Sequence, residues 1–188
     1  NLRAWANYRY PHKAAFIFGS KHLTFGEMFA RSGKVANGLR SIGLQKGQKM
    51  AILLGNRIDT LDFQGGISRV GLTSIALNPR HNAREHEYIL NNAGAEAIIL
   101  SAEYIDLIRP VLSSVETLKH IIVMGAKGGE PDGMIAYERL VENQPESAPS
   151  SGTGDDHIDR IQYTSGTTGR PKGAVSTSLI SYNRIINI

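Results

Sequence analysis

The sequence predicts an α/β fold, with a mostly parallel β-sheet and helices on both of its faces. From Met50 onward, short apolar segments alternate with longer segments of helical periodicity, which is typical of parallel strands joined by crossover helices. The apolar segments are hydrophobic at consecutive positions, as in Ile121-Ile122-Val123-Met124, and this indicates strands covered on both faces. With 41% hydrophobic and 20% charged residues among 188, the composition is that of a globular protein with a substantial core.

The first predicted elements are a β-hairpin and a long helix. Residues 14–18 (Ala-Ala-Phe-Ile-Phe) are apolar, and residues 22–25 (His-Leu-Thr-Phe) are apolar at alternate positions. The two segments flank a short Gly-Ser-Lys turn, which is a hairpin pattern. Thr24 and Glu27 have the spacing of a capping box at the start of a helix. The residues that follow are apolar at intervals of three and four, and we expect this helix to end at Gly43.

Alternating strands and helices account for most of the remaining chain. Strand candidates are the apolar segments 50–54, 73–77, 97–100 and 121–124. Helix candidates lie near 58–70, 83–92 and 104–112, and a further short helix is predicted at 134–141. We expect Gly71 to end the first of these helices and Pro110 to interrupt the third.

These elements divide the chain into three predicted parts. Residues 1–142 form an α/β subdomain that is incomplete at its N-terminus, and residues 143–157, rich in Pro, Ser and Gly, form a loop or linker. Residues 158–188 are predicted to be a strand, a loop, a returning strand and a helix that start the next subdomain. Because the chain begins without Met and ends in an apolar helical segment with no stop signal, we expect a fragment of a longer protein.

Composition argues against several classes of protein. The net charge of +4 is not accompanied by a basic stripe, so we expect no nucleic-acid partner. The absence of cysteine excludes disulfides and thiolate metal sites and fits a reducing compartment, here the cytoplasm. No apolar run approaches the roughly 20 residues that a membrane span requires. The sequence predicts no particular oligomeric state.

The segment Tyr163-Thr164-Ser165-Gly166-Thr167-Thr168-Gly169-Arg170-Pro171-Lys172-Gly173 has the composition of an anion-binding loop. Its glycines allow the backbone to approach an anion, its hydroxyls are neutral donors, and Lys172 is a compact cation. It is not an ordinary P-loop, because the second glycine of that pattern would fall at Pro171. It also lacks the glycine spacing of a dinucleotide fingerprint. The alternative from composition alone is a flexible surface loop.

The full segment closely resembles the phosphate-binding signature of the adenylate-forming superfamily, which includes acyl-CoA synthetases, peptide-synthetase adenylation domains and luciferases. The resemblance is specific and extends over most of the chain, including residues 23–27, 35–39 and 47–56. Asn78-Pro79-Arg80 looks more like acyl-CoA ligases than peptide-synthetase modules. One departure is Thr177-Ser178, where the family often has a Thr-His pair. The resemblance implies that the chain is the first part of the large N-terminal domain of such an enzyme.

The resemblance also implies site residues and cofactors. The cofactors would be ATP, Mg²⁺ and coenzyme A, and the substrate a small carboxylic acid. Lys172 would be catalytic, neutralising charge on the phosphates during formation of an acyl-adenylate, and Thr164 would be the Mg²⁺-linked hydroxyl. The ATP-binding residues would be Thr164, Ser165, Gly166, Thr167, Thr168, Gly169 and Lys172.

The resemblance therefore favours an ATP-dependent carboxylate–CoA ligase that forms an acyl-adenylate and then a thioester. We expect the chain alone to be inactive, because the adenine-binding, acyl-binding and C-terminal catalytic parts follow this loop in the family. Two alternatives stay open. One is a peptide-synthetase adenylation module or an acyl-AMP ligase, and the other is a non-catalytic nucleotide-binding module.

The histidines do not predict a metal site. His81 and His86 are five residues apart, whereas a helical zinc pair is separated by four. We interpret this pair as part of a solvated helix surface.

Overall fold

The computed structural model describes residues 2–126, 133–147, 151–164 and 170–186. The strands are β1 (Ala14–Phe18), β2 (Lys21–Thr24), β3 (Lys49–Leu53), β4 (Thr73–Ala76), β5 (Ala97–Ser101), β6 (His120–Met124), β7 (Ile135–Ala136), β8 (Ile158–Thr164) and β9 (Lys172–Thr177). The helices are α1 (Leu2–Arg9), α2 (Phe25–Ser41), α3 (Asp59–Val70), α4 (Ala83–Ala93), α5 (Ile105–Leu112), α6 (Tyr137–Val141) and α7 (Ser178–Ile186), with a 3₁₀ turn at Ala102–Tyr104.

Among the described residues, seven strands form one sheet in the order β7-β6-β5-β3-β4-β8-β9. Neighbouring strands are parallel from β7 to β8, and β9 returns antiparallel to β8 at one edge. The hairpin β1–β2 is a separate two-stranded sheet. The predicted α/β class with a mostly parallel sheet is therefore confirmed.

Helices cover both faces of the sheet, as the consecutive apolar positions indicate. On β3, the side chains of Met50 and Ile52 pack with α2, α3 and α6, whereas Ala51 and Leu53 belong to the opposite core with α4 and α5. This division follows from the strand geometry, since successive side chains point to opposite faces. The central strands are thus buried on both sides, and β9 at the edge leaves Val175 54% exposed.

Local sequence signals set the starts and ends of the helices. Thr24 and Asn82 each close a capping box at the starts of α2 and α4, respectively. Gly71 and Gly94 adopt left-handed backbone conformations, with φ of 82° and 65°, directly after α3 and α4, and such positions strongly favour glycine. Pro110 was expected to interrupt α5, but the helix continues through it and ends two residues later at Leu112.

Two further local expectations differ from the structure. Residues 135–136 form the short strand β7 before the helix α6, because they pair with Ile122 and Val123 of β6 rather than extending the helix. His86 is fully buried, so His81 and His86 are not the solvated pair that we expected. Burial lowers the pKa of His86 to about 4, with His81 contributing in the same direction.

The described part of the segment 143–157 lies against α2 and leads to β8. The side-chain amide of Asn37 donates to the backbone oxygens of Pro145 (2.8 Å) and Ser147 (2.9 Å). The strand after this segment, β8, pairs directly with β4, so strands from both sides of the segment belong to the same sheet. The division into parts at residues 143–157 stays a prediction. No helix in the described residues has the length and apolar character needed to cross a membrane.

Candidate functional site

The candidate site lies between the antiparallel strands β8 and β9. Thr164, the last residue of β8, is paired with Lys172, the first residue of β9, and Tyr163 is paired with Gly173. The strand pairing thus places the predicted metal-linked hydroxyl opposite the predicted catalytic cation. The other predicted ligands lie outside the described residues, and they are Ser165, Gly166, Thr167, Thr168 and Gly169.

The parallel part of the sheet determines where this pair lies. β8 runs parallel to β4, and Thr164 ends β8 at the edge of the sheet where the parallel strands have their carboxyl ends. In open α/β sheets, ligands bind in the crevice outside the carboxyl ends of the strands. The position of Thr164 and Lys172 is therefore the one that this architecture offers to a ligand.

The electrostatics at this edge favour an anion. Thr164, Arg170 and Lys172 are all exposed, and among the described residues Lys172 has no carboxylate within ion-pair distance. A lysine without a counter-charge, next to a hydroxyl, fits a phosphate group.

The donor set also fits Mg²⁺ bound mainly through phosphate oxygens, because this ion keeps several waters and takes few protein ligands. In the part of the chain that the structure describes, there is no cluster of three or more His, Cys, Asp or Glu residues able to hold a metal ion by itself. A single protein ligand, such as the Thr164 hydroxyl, leaves the other coordination positions of this ion to phosphate oxygens and water.

Two residues of α4 contact the ends of the segment that carries the site. The Tyr163 hydroxyl donates a hydrogen bond of 2.6 Å to Oδ1 of Asn92. The guanidinium carbon of Arg170 lies 5.4 Å from the ring centroid of Tyr88, within the range of a cation–π interaction. Partial burial raises the pKa of Tyr163, and the neighbouring Tyr88 contributes in the same direction, so the Tyr163 hydroxyl keeps its proton and acts as a donor.

Asn92 and Tyr88 were not identified from the sequence. Asn92 precedes Tyr163 by 71 residues, and neither α4 residue belongs to a motif. The sequence signal for their role was weak. The helix that follows β4 lies beside β8 only if β4 and β8 are neighbours in the sheet, and the sequence does not show the strand order.

Position 173, which pairs with Tyr163 across the two strands, has little space for a side chain, and this explains why it is occupied by glycine. A Cβ atom built on Gly173 would lie 3.1 Å from Cζ of Tyr163 and 3.0 Å from Cγ2 of Ile161, which is closer than side chains normally approach. The Tyr163 ring thus extends across the backbone of Gly173 toward α4, and this path depends on the missing side chain.

The model of the protein family described as "AMP-binding enzyme" matches residues 3–186 of this chain. The crotonobetaine/carnitine–CoA ligase of Citrobacter koseri is 31% identical in an alignment of length 177 that covers 89% of this chain and 34% of that protein. The long-chain-fatty-acid–CoA ligase of Thermus thermophilus is 29% identical in an alignment of length 177 that covers 87% of this chain and 31% of that protein. The chain thus spans about a third of the length of the curated relatives it matches.

Solved structures share the fold. The crystal structure of the anthranilate CoA ligase AuaEII in complex with anthranoyl-AMP superposes with a TM-score of 0.88 at 24% identity, over 94% of this chain and 34% of that one. At this level of identity the match concerns the fold alone. It agrees with the parallel sheet and two helical layers described above.

Proposed function

Because the chain belongs to the AMP-binding enzyme family, as the resemblance of its phosphate-binding segment implies, we propose that it carries the phosphate-binding part of an ATP-dependent carboxylate–CoA ligase. The observation that carries this proposal is the pairing of Thr164 with Lys172 at the carboxyl edge of the parallel sheet. A hydroxyl and an unpaired cation meet there at the position where this architecture binds ligands. The ligase names of the relatives support the choice of reaction.

In this proposal Lys172 holds a positive charge beside the β- and γ-phosphates and stabilises the charge that develops on phosphate oxygens. ATP, when bound, supplies the α-phosphate that a carboxylate attacks and the pyrophosphate that leaves. Thr164 contributes its hydroxyl to Mg²⁺. Ser165, Gly166, Thr167, Thr168 and Gly169 contribute hydroxyl and backbone N–H donors, which is the chemistry that a polyphosphate requires.

The second substrate and the acceptor are proposed from the relatives. Their names refer to crotonobetaine or carnitine, long-chain fatty acids and benzoate. All of these are carboxylates activated as CoA esters. We therefore propose a carboxylic acid as substrate, coenzyme A as thiol acceptor and a cytoplasmic location, the last supported by the absence of cysteine.

Substitution of Lys172 by alanine is expected to weaken the binding of Mg·ATP by about 10- to 100-fold. Hydrogen bonds to charged groups contribute about 1.5–3 kcal/mol, and no other lysine lies on these paired strands. The measurement is isothermal titration calorimetry of Mg·ATP into the 188-residue chain and its variants. Lys21→Ala is the matched control, because Lys21 is also an exposed lysine but lies in the separate hairpin β1–β2.

The control variant should bind Mg·ATP like the wild type, and both variants should keep the melting temperature because both side chains are exposed. An unchanged dissociation constant in Lys172→Ala would contradict the role of this lysine. Failure of the wild-type chain to bind both Mg·ATP and Mg·tripolyphosphate, a probe that needs no adenine-binding part, would contradict the phosphate-binding role of the chain itself.

A further inference from the structure

We propose that α4 positions Thr164 and Lys172 for phosphate binding, with Asn92 and Tyr88 acting as positioning residues through Tyr163 and Arg170. This inference rests on the proposed function and extends it to a helix outside the phosphate motif. It is carried by contacts that α4 makes at both ends of the segment.

The first contact is at the end of β8. Tyr163 immediately precedes Thr164, and its hydroxyl reaches Oδ1 of Asn92 at 2.6 Å. The Tyr163 side chain is partly buried against the core that contains α4. A tyrosine held at both its ring and its hydroxyl fixes the direction in which the chain leaves β8.

The second contact is at the start of β9. Arg170 lies two residues before Lys172, and its guanidinium is 5.4 Å from the Tyr88 ring centroid. Tyr88 and Asn92 are four residues apart on α4, so they lie on the same side of the helix, one turn from each other. The two ends of the segment are therefore held by adjacent turns of one helix.

α4 is suited to this role because it is itself firmly held. Its N-terminus is closed by the capping box of Asn82 and Glu85, and Ile89 and Leu90 are fully buried. On the next residue, the side-chain amide of Asn91 donates to the backbone oxygen of Ser114 at 3.2 Å. A helix fixed at its cap, its buried face and its last turn gives a constant reference point for both contacts.

The consequence for binding is preorganisation. A ligand that must immobilise the side chains that bind it loses affinity by the entropic cost. When Asn92 and Tyr88 hold Tyr163 and Arg170, which lie close to Thr164 and Lys172 in the chain, before the ligand arrives, part of this cost falls on folding and not on binding. We thus expect these two residues to affect nucleotide affinity without touching the nucleotide.

Asn92→Leu and Tyr163→Phe are each expected to raise the dissociation constant for Mg·ATP roughly fivefold, the size of effect that one net hydrogen bond supports. The double variant should be no weaker than either single variant, because both remove the same contact. The matched control is Asn91→Leu, which removes a side-chain hydrogen bond from the same helix but no contact with the segment. It should lower the melting temperature and leave Mg·ATP affinity unchanged.

Substitutions at Tyr88 provide a second test, in which one variant removes the aromatic ring and another keeps it. Tyr88→Leu should raise the dissociation constant for Mg·ATP by about two- to fivefold because it removes the ring beneath Arg170. Tyr88→Phe keeps the ring and should restore binding. A purely structural role for Tyr88 would change stability in Tyr88→Leu without this difference in affinity.

The outcomes separate this inference from the proposed function. Equal Mg·ATP affinity in the wild type, Asn92→Leu and Tyr88→Leu overturns the positioning role alone. The same holds if Asn91→Leu weakens binding as much as Asn92→Leu does. Absence of saturable binding of both Mg·ATP and Mg·tripolyphosphate by the wild-type chain overturns the proposed function and with it this inference.

Discussion

Substitution of Gly66 by valine is expected to lower the free energy of unfolding by about 3 kcal/mol, the upper part of the usual range for overpacking a core. Gly66 is buried in α3 where this helix crosses α2. A Cβ atom built there would lie 2.6 Å from Cβ of Val35 and 3.1 Å from the backbone nitrogen of Ala36. Because these atoms belong to the base of a side chain and to a helix backbone, the two helices must move apart.

Urea unfolding followed by circular dichroism measures this effect. Gly154→Val is the matched control, since Gly154 has no atoms within 4 Å of a built Cβ and its φ is not positive. We expect the control to change the free energy of unfolding by less than about 0.5 kcal/mol. Equal midpoints for the two variants would show that α2 and α3 do not depend on this close approach.

The contribution of Asp62 to the stability of the protein is expected to fall as the pH rises from about 4 to about 7. Asp62 is fully buried in α3, and burial raises its pKa from 3.8 to about 7. The Arg31 guanidinium, 2.6 Å from Oδ2 of Asp62, acts in the opposite direction, and Asp59 adds to the rise. From α6, Tyr137 faces the same group, and its own pKa is raised by burial and by Asp62.

The sign of the effect follows from where the proton is bound. Between pH 4 and 7 the folded state keeps the Asp62 proton that the unfolded chain releases, so the contribution of this group to stability decreases with rising pH. Buried His86, whose pKa is lowered to about 4, acts in the opposite direction, and the effect of Asp62 is therefore read from the difference between the wild type and a variant at this position. The interval from 3.8 to about 7 corresponds to a loss of at most about 4 kcal/mol. Above pH 7 both states are ionised and this contribution no longer changes.

Asp62→Asn should remove most of this pH dependence, because the amide is neutral throughout the range and similar in size to the acid. The measurement is the free energy of unfolding in urea at half-unit steps from pH 4.5 to 8. Asp106→Asn, which changes an exposed carboxylate on α5, is the control and should follow the wild-type curve. A difference in the free energy of unfolding between the wild type and Asp62→Asn that stays constant with pH would rule out the protonated state of Asp62 in the folded protein.

The elements of the fold were largely predictable because their signals are local. The hairpin, the capping box and the glycines that end helices each depend on residues within a few positions of one another, such as Thr24 with Glu27. The prediction of helix at residues 135–136 was wrong because the structure there depends on residues distant in the chain. Residues 135–136 become a strand by pairing with β6, and pairing between distant segments leaves no mark on local periodicity. His86 is a similar case, since its burial depends on what packs over α4.

The sequence predicted the chemistry of the candidate site but not the contacts that Tyr88 and Asn92 of α4 make with it. The residues around Thr164 and Lys172 were identified from the hydroxyls, glycines and cations that they combine in one segment. Their placement opposite each other follows from the register of β8 and β9. The roles of the individual residues in phosphate binding stay predictions that the substitutions above test.

By itself, the sequence determined the α/β class, the order of most elements and the resemblance of the phosphate-binding segment to a ligase family. It could do so because periodicity, capping and motif composition are properties of neighbouring residues. Only the tertiary structure decided that β8 lies beside β4 and that α4 contacts Tyr163 and Arg170. The physical reason is that packing brings together side chains far apart in the chain, and the sheet order that does this is a property of the whole fold.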